Sequence, residues 1–127
     1  MTSHRPESVA REVQKELAMI LRTEIDDPLI GFVTITDVEM SLDLRHADVY
    51  FSAYGEPTAK EDALQGLKRS RKFIRRLLGE RLDLRYVPEL RFHIDHTPEK
   101  AQRVEELLRA AAAEREAREA QGDDAER

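Results

Sequence analysis

Residues 32–54 read FVTITDVEMSLDLRHADVYFSAY, two runs rich in β-branched and aromatic residues on either side of a short, turn-like SLDLR. In the second run Ala47, Val49, Phe51 and Ala53 alternate with Asp48, Tyr50, Ser52 and Tyr54. One face is apolar and the other polar, which is the period of a half-buried strand. In the first run the apolar phase shifts from Val33 and Ile35 to Val38 and Met40, as a β-bulge or a strong twist would make it do. The runs lie close enough to pair as an antiparallel hairpin, so the flanking elements must supply the cover for its apolar face.

Upstream, Val9, Val13, Leu17, Ile20 and Leu21 recur at the spacing of one helical stripe across residues 7–25. Pro6 is suited to open that helix and Pro28 to close it. Asp26 and Asp27, just before Pro28, therefore read as helix termination rather than as a catalytic carboxylate pair. Downstream, GEPT at 55–58 breaks the strand pattern, and Thr58 with Glu61 has the spacing of a capping box ahead of a long helix. On that helix Ala63, Leu64, Leu67, Phe73, Ile74, Leu77 and Leu78 share one broad arc at about 100° per residue. After Gly79, the run ELRFHID at 89–95 alternates Leu90, Phe92 and Ile94 against Arg91, His93 and Asp95, a third strand. Thr97, Pro98 and Glu99 start a last helix carrying Val104, Leu107 and Leu108.

Helix, strand, strand, long helix, strand, helix in so short a chain predicts an α+β fold, a three-stranded sheet with helices packed on one face. Residues 1–112 are expected to form this domain. Residues 113–127 lose every large apolar side chain, and are expected to be a charged, Ala-rich extension, partly disordered.

Composition removes several function classes. The chain has 127 residues and no cysteine, which excludes disulfides, thiolate metal sites and cysteine nucleophiles. No stretch approaches the roughly 18 apolar residues of a membrane span, and MTSHRPESVAREV lacks a signal peptide's apolar run. The expectation is a cytoplasmic protein with no membrane partner. There is no Gly-rich phosphate loop, nucleophile elbow or helical His pair with a Glu, so neither an enzyme nor a cofactor is expected. His93, Asp95 and His96 are a weak metal candidate, and read instead as polar residues at a strand end.

Charge is unevenly placed. Residues 68–91 hold nine Lys/Arg and three Asp/Glu in a chain of net charge −5. On the helical wheel Lys68, Arg69, Lys72, Arg75 and Arg76 oppose the apolar arc, Arg71 lies between Ser70 and Lys72, and Arg81 and Arg85 extend the track. A solvated face usually mixes signs, because like charges four apart destabilise a helix by a few tenths of a kcal/mol. Here Lys68 and Lys72, Lys72 and Arg76, and Arg71 and Arg75 are like pairs, with no acidic residue between Asp62 and Glu80. Phosphate polymers are the common reason to gather such charge. An acidic protein surface is the alternative partner. Aromatic interleaving is thin: Tyr50, Tyr54 and Tyr86 are free to face outward, whereas Phe51, Phe73 and Phe92 fit the core phase.

DDPLIGFVTITDVEMSLDLRHADVYFS and LKRSRKFIRRLLGERLDLRYVPELRFHID strongly resemble the bacterial ribosome-binding factor A family, over about Arg5 to Leu108. The resemblance rests on Asp27-Pro28, the Val38–Asp43 turn with Ala47 and Val49, the step Phe73-Ile74-Arg75, and Leu84-Arg85 through Pro88-Glu89-Leu90 to Asp95. It implies a type II KH-like fold of order α-β-β-α-α-β without the GxxG loop. It also implies a non-enzymatic monomer that binds free 30S subunits, contacts 16S rRNA and possible ribosomal-protein neighbours, assists late 16S rRNA maturation and supports growth in the cold. The basic track Lys68, Arg69, Arg71, Lys72, Arg75, Arg76, Arg81 and Arg85, read from the charge pattern, is then the expected rRNA-contacting surface. The family usually has an Ala-x-Gly kink between its second and third helices. This chain has Ser70-Arg71-Lys72 there, and Lys72, a good helix former in place of Gly, leaves a gentler bend or a continuous helix open.

Overall fold

A computed structural model describes residues 5–125. Its elements are α1 (Pro6–Thr23), β1 (Phe32–Met40), β2 (His46–Tyr54), α2 (Ala59–Arg69), α3 (Arg71–Arg81), β3 (Glu89–Ile94) and α4 (Thr97–Ala125). Two compact units divide between Asp95 and His96. The first holds the sheet and three helices, and the second is α4, which runs through position 112 without a break. Within α4, Val104, Leu107 and Leu108 are exposed. The expected fraying at the extreme C-terminus falls partly on residues 126–127, outside the described residues, as do residues 1–4 of the expected domain.

The sheet has the order β1-β2-β3. β1 and β2 are antiparallel and β2 and β3 parallel, with Val49 opposite both Val38 and Phe92. Joining parallel strands requires a crossover, and α2 and α3 make it. The order α-β-β-α-α-β is that of a type II KH-like fold. The predicted bulge is present: Ile35 pairs with Phe51 and Asp37 with Tyr50, so Thr36 is the extra residue. Groups beside it find partners elsewhere, since Gln14 Nε2 donates to the Ile35 carbonyl at 3.3 Å and the Thr36 hydroxyl to Asp95 at 2.6 Å.

Alternation sends Ala47, Val49 and Phe51 of β2 and Leu90 of β3 into the core, where they meet Val9, Val13, Leu17 and Ile20 of α1, Leu67 of α2, and Ile74 and Leu78 of α3. Each fully buried Leu, Ile, Val or Phe contributes about 1.5–3 kcal/mol. These three helices lie on the apolar face of the sheet. The opposite face carries Glu39, Asp48 and Arg91 in cross-strand register.

Several local readings differ. The predicted long helix is two helices broken at Ser70, whose φ of −89° and ψ of 2° lie off helical values but are open to an L residue. The bend thus forms without glycine. Phe73, about 100° from Ile74 at the edge of the apolar arc, lies outside the core and is 37% exposed. Gly79 does not end α3, which continues to Arg81. A Cβ at Gly79 would meet Val87 Cγ2 at 2.8 Å, so the glycine admits the strand-leading segment rather than stopping the helix. The Thr58 capping box is also absent: no side-chain cap bond forms, and the Thr58 hydroxyl donates to Asp62 instead.

Candidate nucleic-acid interface

Seven of the eight predicted binding residues fall into two groups, with Arg71 between them. Arg69 places one guanidinium nitrogen 2.7 Å from each oxygen of Asp27, in the loop after α1. The Arg69 hydrogen bond, with a second from the Leu29 amide, holds the Asp27 carboxyl below the usual range. Arg75 donates from Nε to the Pro88 carbonyl and from its terminal nitrogen to the Val87 carbonyl, both at 3.0 Å, with Glu89 3.4 Å away. Arg81 reaches Glu24 at 3.0 Å and Glu16 at 3.7 Å. These three arginines tie α2 and α3 to α1 and to the loops that follow it and precede β3. Each spends at least one guanidinium nitrogen within the fold, although the Arg69 side chain remains 61% exposed.

Lys68, Lys72, Arg76 and Arg85 are exposed. Arg76 stands 5.1 Å over the Phe73 ring and only 4.0 Å from Glu80, a weak solvated pair. Arg71 is intermediate: its guanidinium lies 5.8 Å over Phe92, and its Nε is buried with no partner among the described residues. The basic surface that remains for an external anion is therefore Lys68, Lys72 and Arg76, with Arg85 displaced into the segment before β3.

The wet face of the sheet has the opposite character. Arg91 Nε and His93 Nε2 approach the same Asp48 oxygen at 2.9 and 2.8 Å, and the His93 ring stacks on Tyr50 with centroids 5.1 Å apart. Burial works against the ionised form of Asp48, but hydrogen bonds and charges from His93 and Arg91 outweigh it and lower its pKa. Burial, then the charges of Glu39, Asp48, Asp37 and Asp95, raise that of the Tyr50 phenol. A face this acidic repels phosphate. Tyr50 is therefore packed against His93 rather than available to stack, while Tyr54 is exposed opposite Phe32. Among the described residues, no three His, Cys, Asp or Glu side chains gather as a metal site.

One group escaped the sequence reading. Arg45, in the β1–β2 turn, stands 4.4 Å from the centroid of Tyr86, which Arg85 also approaches at 5.5 Å. The only sequence signal was a lone Arg in a turn, since the contact joins residues far apart in the chain.

A sequence model described as ribosome-binding factor A matches residues 5–108. The ribosome-binding factor A of Thermomicrobium roseum is 44% identical over 116 residues, covering 91% of this chain and 90% of that protein. That of Halothermothrix orenii is 39% identical over 116 residues, covering 91% and 95%. Among solved structures, ribosome-binding factor A from Thermus thermophilus superimposes with a TM-score of 0.64 at 25% identity, covering 72% of this chain and 97% of that one. A Thermus thermophilus homology model fitted into a cryo-EM map of a 30S complex gives a TM-score of 0.58 at 27% identity, covering 68% and 90%.

Proposed function

The chain belongs to the ribosome-binding factor A family, and from that premise we propose that it is a cytoplasmic, monomeric, non-enzymatic factor of ribosome biogenesis. It binds free 30S subunits and assists late maturation of 16S rRNA, including during growth in the cold. The observation that carries the contact surface is the group Lys68, Lys72 and Arg76, exposed along α2 and α3 while neighbouring arginines are consumed by internal pairs. A similar protein has been fitted into a 30S map, which supports the same partner. On this reading the group neutralises rRNA phosphates and reads backbone rather than bases. The Ala-rich segment from 113 onward is a solubilising extension.

Co-sedimentation on a gradient that resolves free small subunits from whole ribosomes tests the proposal. The protein should travel with free 30S particles, and Lys68→Glu/Lys72→Glu/Arg76→Glu should release it while keeping its thermal melt. Unchanged co-sedimentation of the triple variant would remove this face from the interface. Binding that survives complete RNA digestion would assign the basic helices to an acidic protein instead.

A further inference from the structure

Tyr86 is 48% exposed in the segment between α3 and β3, and two guanidiniums flank its ring. Unlike Arg69, Arg75 and Arg81, neither arginine hydrogen-bonds a carboxylate through its side chain among the described residues, although the Arg45 charge acts on nearby Asp43. Beside the ring opens a hollow of about 280 Å³ lined by Val9, Leu44, Leu84, Tyr86, Arg85 and Asp43. Its walls are mainly apolar, and its volume sits near the lower end of small-ligand pockets, about 300 Å³.

The turn that forms one wall is held in an uncommon shape. Leu44 has φ of 61°, a conformation costing a non-glycine residue about 1–2 kcal/mol. The turn is held by the Ser41 hydroxyl, which donates to Asp43 Oδ1 at 2.6 Å, and by the Arg45 amide, which donates to the same oxygen at 3.0 Å. These bonds keep the Asp43 carboxyl below its ordinary pKa. They also occupy one carboxylate oxygen and leave Oδ2 as an acceptor beside the hollow.

Apolar walls, one ionised acceptor and the Arg85 guanidinium in the lining match a nucleotide, with Arg45 outside that lining but against the same Tyr86 ring. A flat ring fills the hollow, an amino group on its edge meets Asp43, and its phosphate meets Arg85. We propose that this hollow is a seat for one unpaired, amino-bearing purine of an RNA strand, separate from the backbone-reading surface on α2 and α3. The seat rests on the RNA-binding reading above, and adds a base preference to it. Adenine and guanine offer an amino edge on a two-ring surface that buries more apolar area in the hollow than the single ring of cytosine, which carries an amino group too. Uracil instead turns two carbonyls beside its single N–H toward the carboxylate, and is disfavoured.

Fluorescence anisotropy of the full chain with labelled single-stranded oligo(A) and oligo(U) of equal length tests the seat. Oligo(A) should bind about tenfold more tightly than oligo(U). Tyr86→Leu, which keeps an apolar wall but removes the ring, should weaken oligo(A) binding about tenfold, whereas Tyr86→Phe should not. Asp43→Asn keeps an oxygen for the Ser41 and Arg45 donors and should narrow the preference for oligo(A). The triple Lys68/Lys72/Arg76 variant should weaken both oligonucleotides equally. Equal binding of oligo(A) and oligo(U), or an unaffected Tyr86→Leu variant, would overturn the seat while leaving 30S co-sedimentation to stand or fall separately. Loss on Tyr86→Leu of a small-subunit contact that survives RNA digestion would give the hollow to a protein and overturn it equally.

Discussion

Arg75 illustrates how a residue's chemistry is reassigned by its surroundings. On a helical wheel it is one cation among five, but its two bonds to the Val87 and Pro88 carbonyls make it the clasp that holds the approach to β3. Arg75→Met, keeping the stem and losing the donors, is expected to destabilise the fold by about 1–2 kcal/mol, because it strands partly buried carbonyls. Chemical denaturation checks this, and an unchanged midpoint would return Arg75 to the solvated face. Gly66 is a second case. A Cβ there would meet Ile30 Cγ1 at 2.7 Å and Leu29 Cβ at 3.4 Å, so Gly66→Ala should lose stability by roughly 1–2 kcal/mol even though alanine is the better helix former. A gain in melting temperature would mean that the 27–30 turn yields freely. Asp27 adds a pH dependence. Its carboxyl pKa is depressed in the fold, first by the Arg69 hydrogen bond, so the associated stabilisation is fully present above the ordinary value of 3.8. It is lost as pH falls from there through the folded value. Melting temperatures followed downward from about pH 5 should fall less steeply for Arg69→Gln than for the parent; parallel curves would dissociate the pair from acid stability.

At the scale of elements, the strands were far more legible than the helices' junction. Alternation in β2 and the phase shift in β1 carry the hairpin and its Thr36 bulge, because side-chain direction in a strand is set by position alone. The α2–α3 junction is different: a change of ψ at one residue, Ser70, rotates everything after it. Phe73 sits about 100° from Ile74, at the edge of the broad arc assigned to the core, and it lies outside with Arg76 over its ring. The contrast with Phe51, which is 0% exposed on β2, is measurable. Phe51→Ala should cost about 3–5 kcal/mol, and Phe73→Ala about 1 kcal/mol, consistent with a partly solvated ring. Equal costs by urea denaturation would mean that Phe73 is a core residue after all.

Across the sheet-bearing unit, charge is sorted by surface. Lys68, Lys72 and Arg76 are exposed along α2 and α3, while Asp37, Glu39 and Asp48 lie together on the open face of the sheet. If phosphate neutralisation drives association, log affinity should fall with log salt at a slope of about −0.7 to −0.9 per phosphate contacted, and the triple charge reversal should flatten that slope. Asp37→Asn/Glu39→Gln should leave co-sedimentation with small subunits unchanged. Release by those neutral substitutions would move the interface onto the sheet. The sequence by itself determined the three strands, the apolar faces and the hairpin, because those depend on spacing within a few residues, and its motifs determined the family. Only the tertiary structure decided which cations are free. Ion pairing is a matter of distance in space, and the partners Asp27, Glu16, Glu24 and the Val87 and Pro88 carbonyls lie on other elements, where no helical wheel can see them.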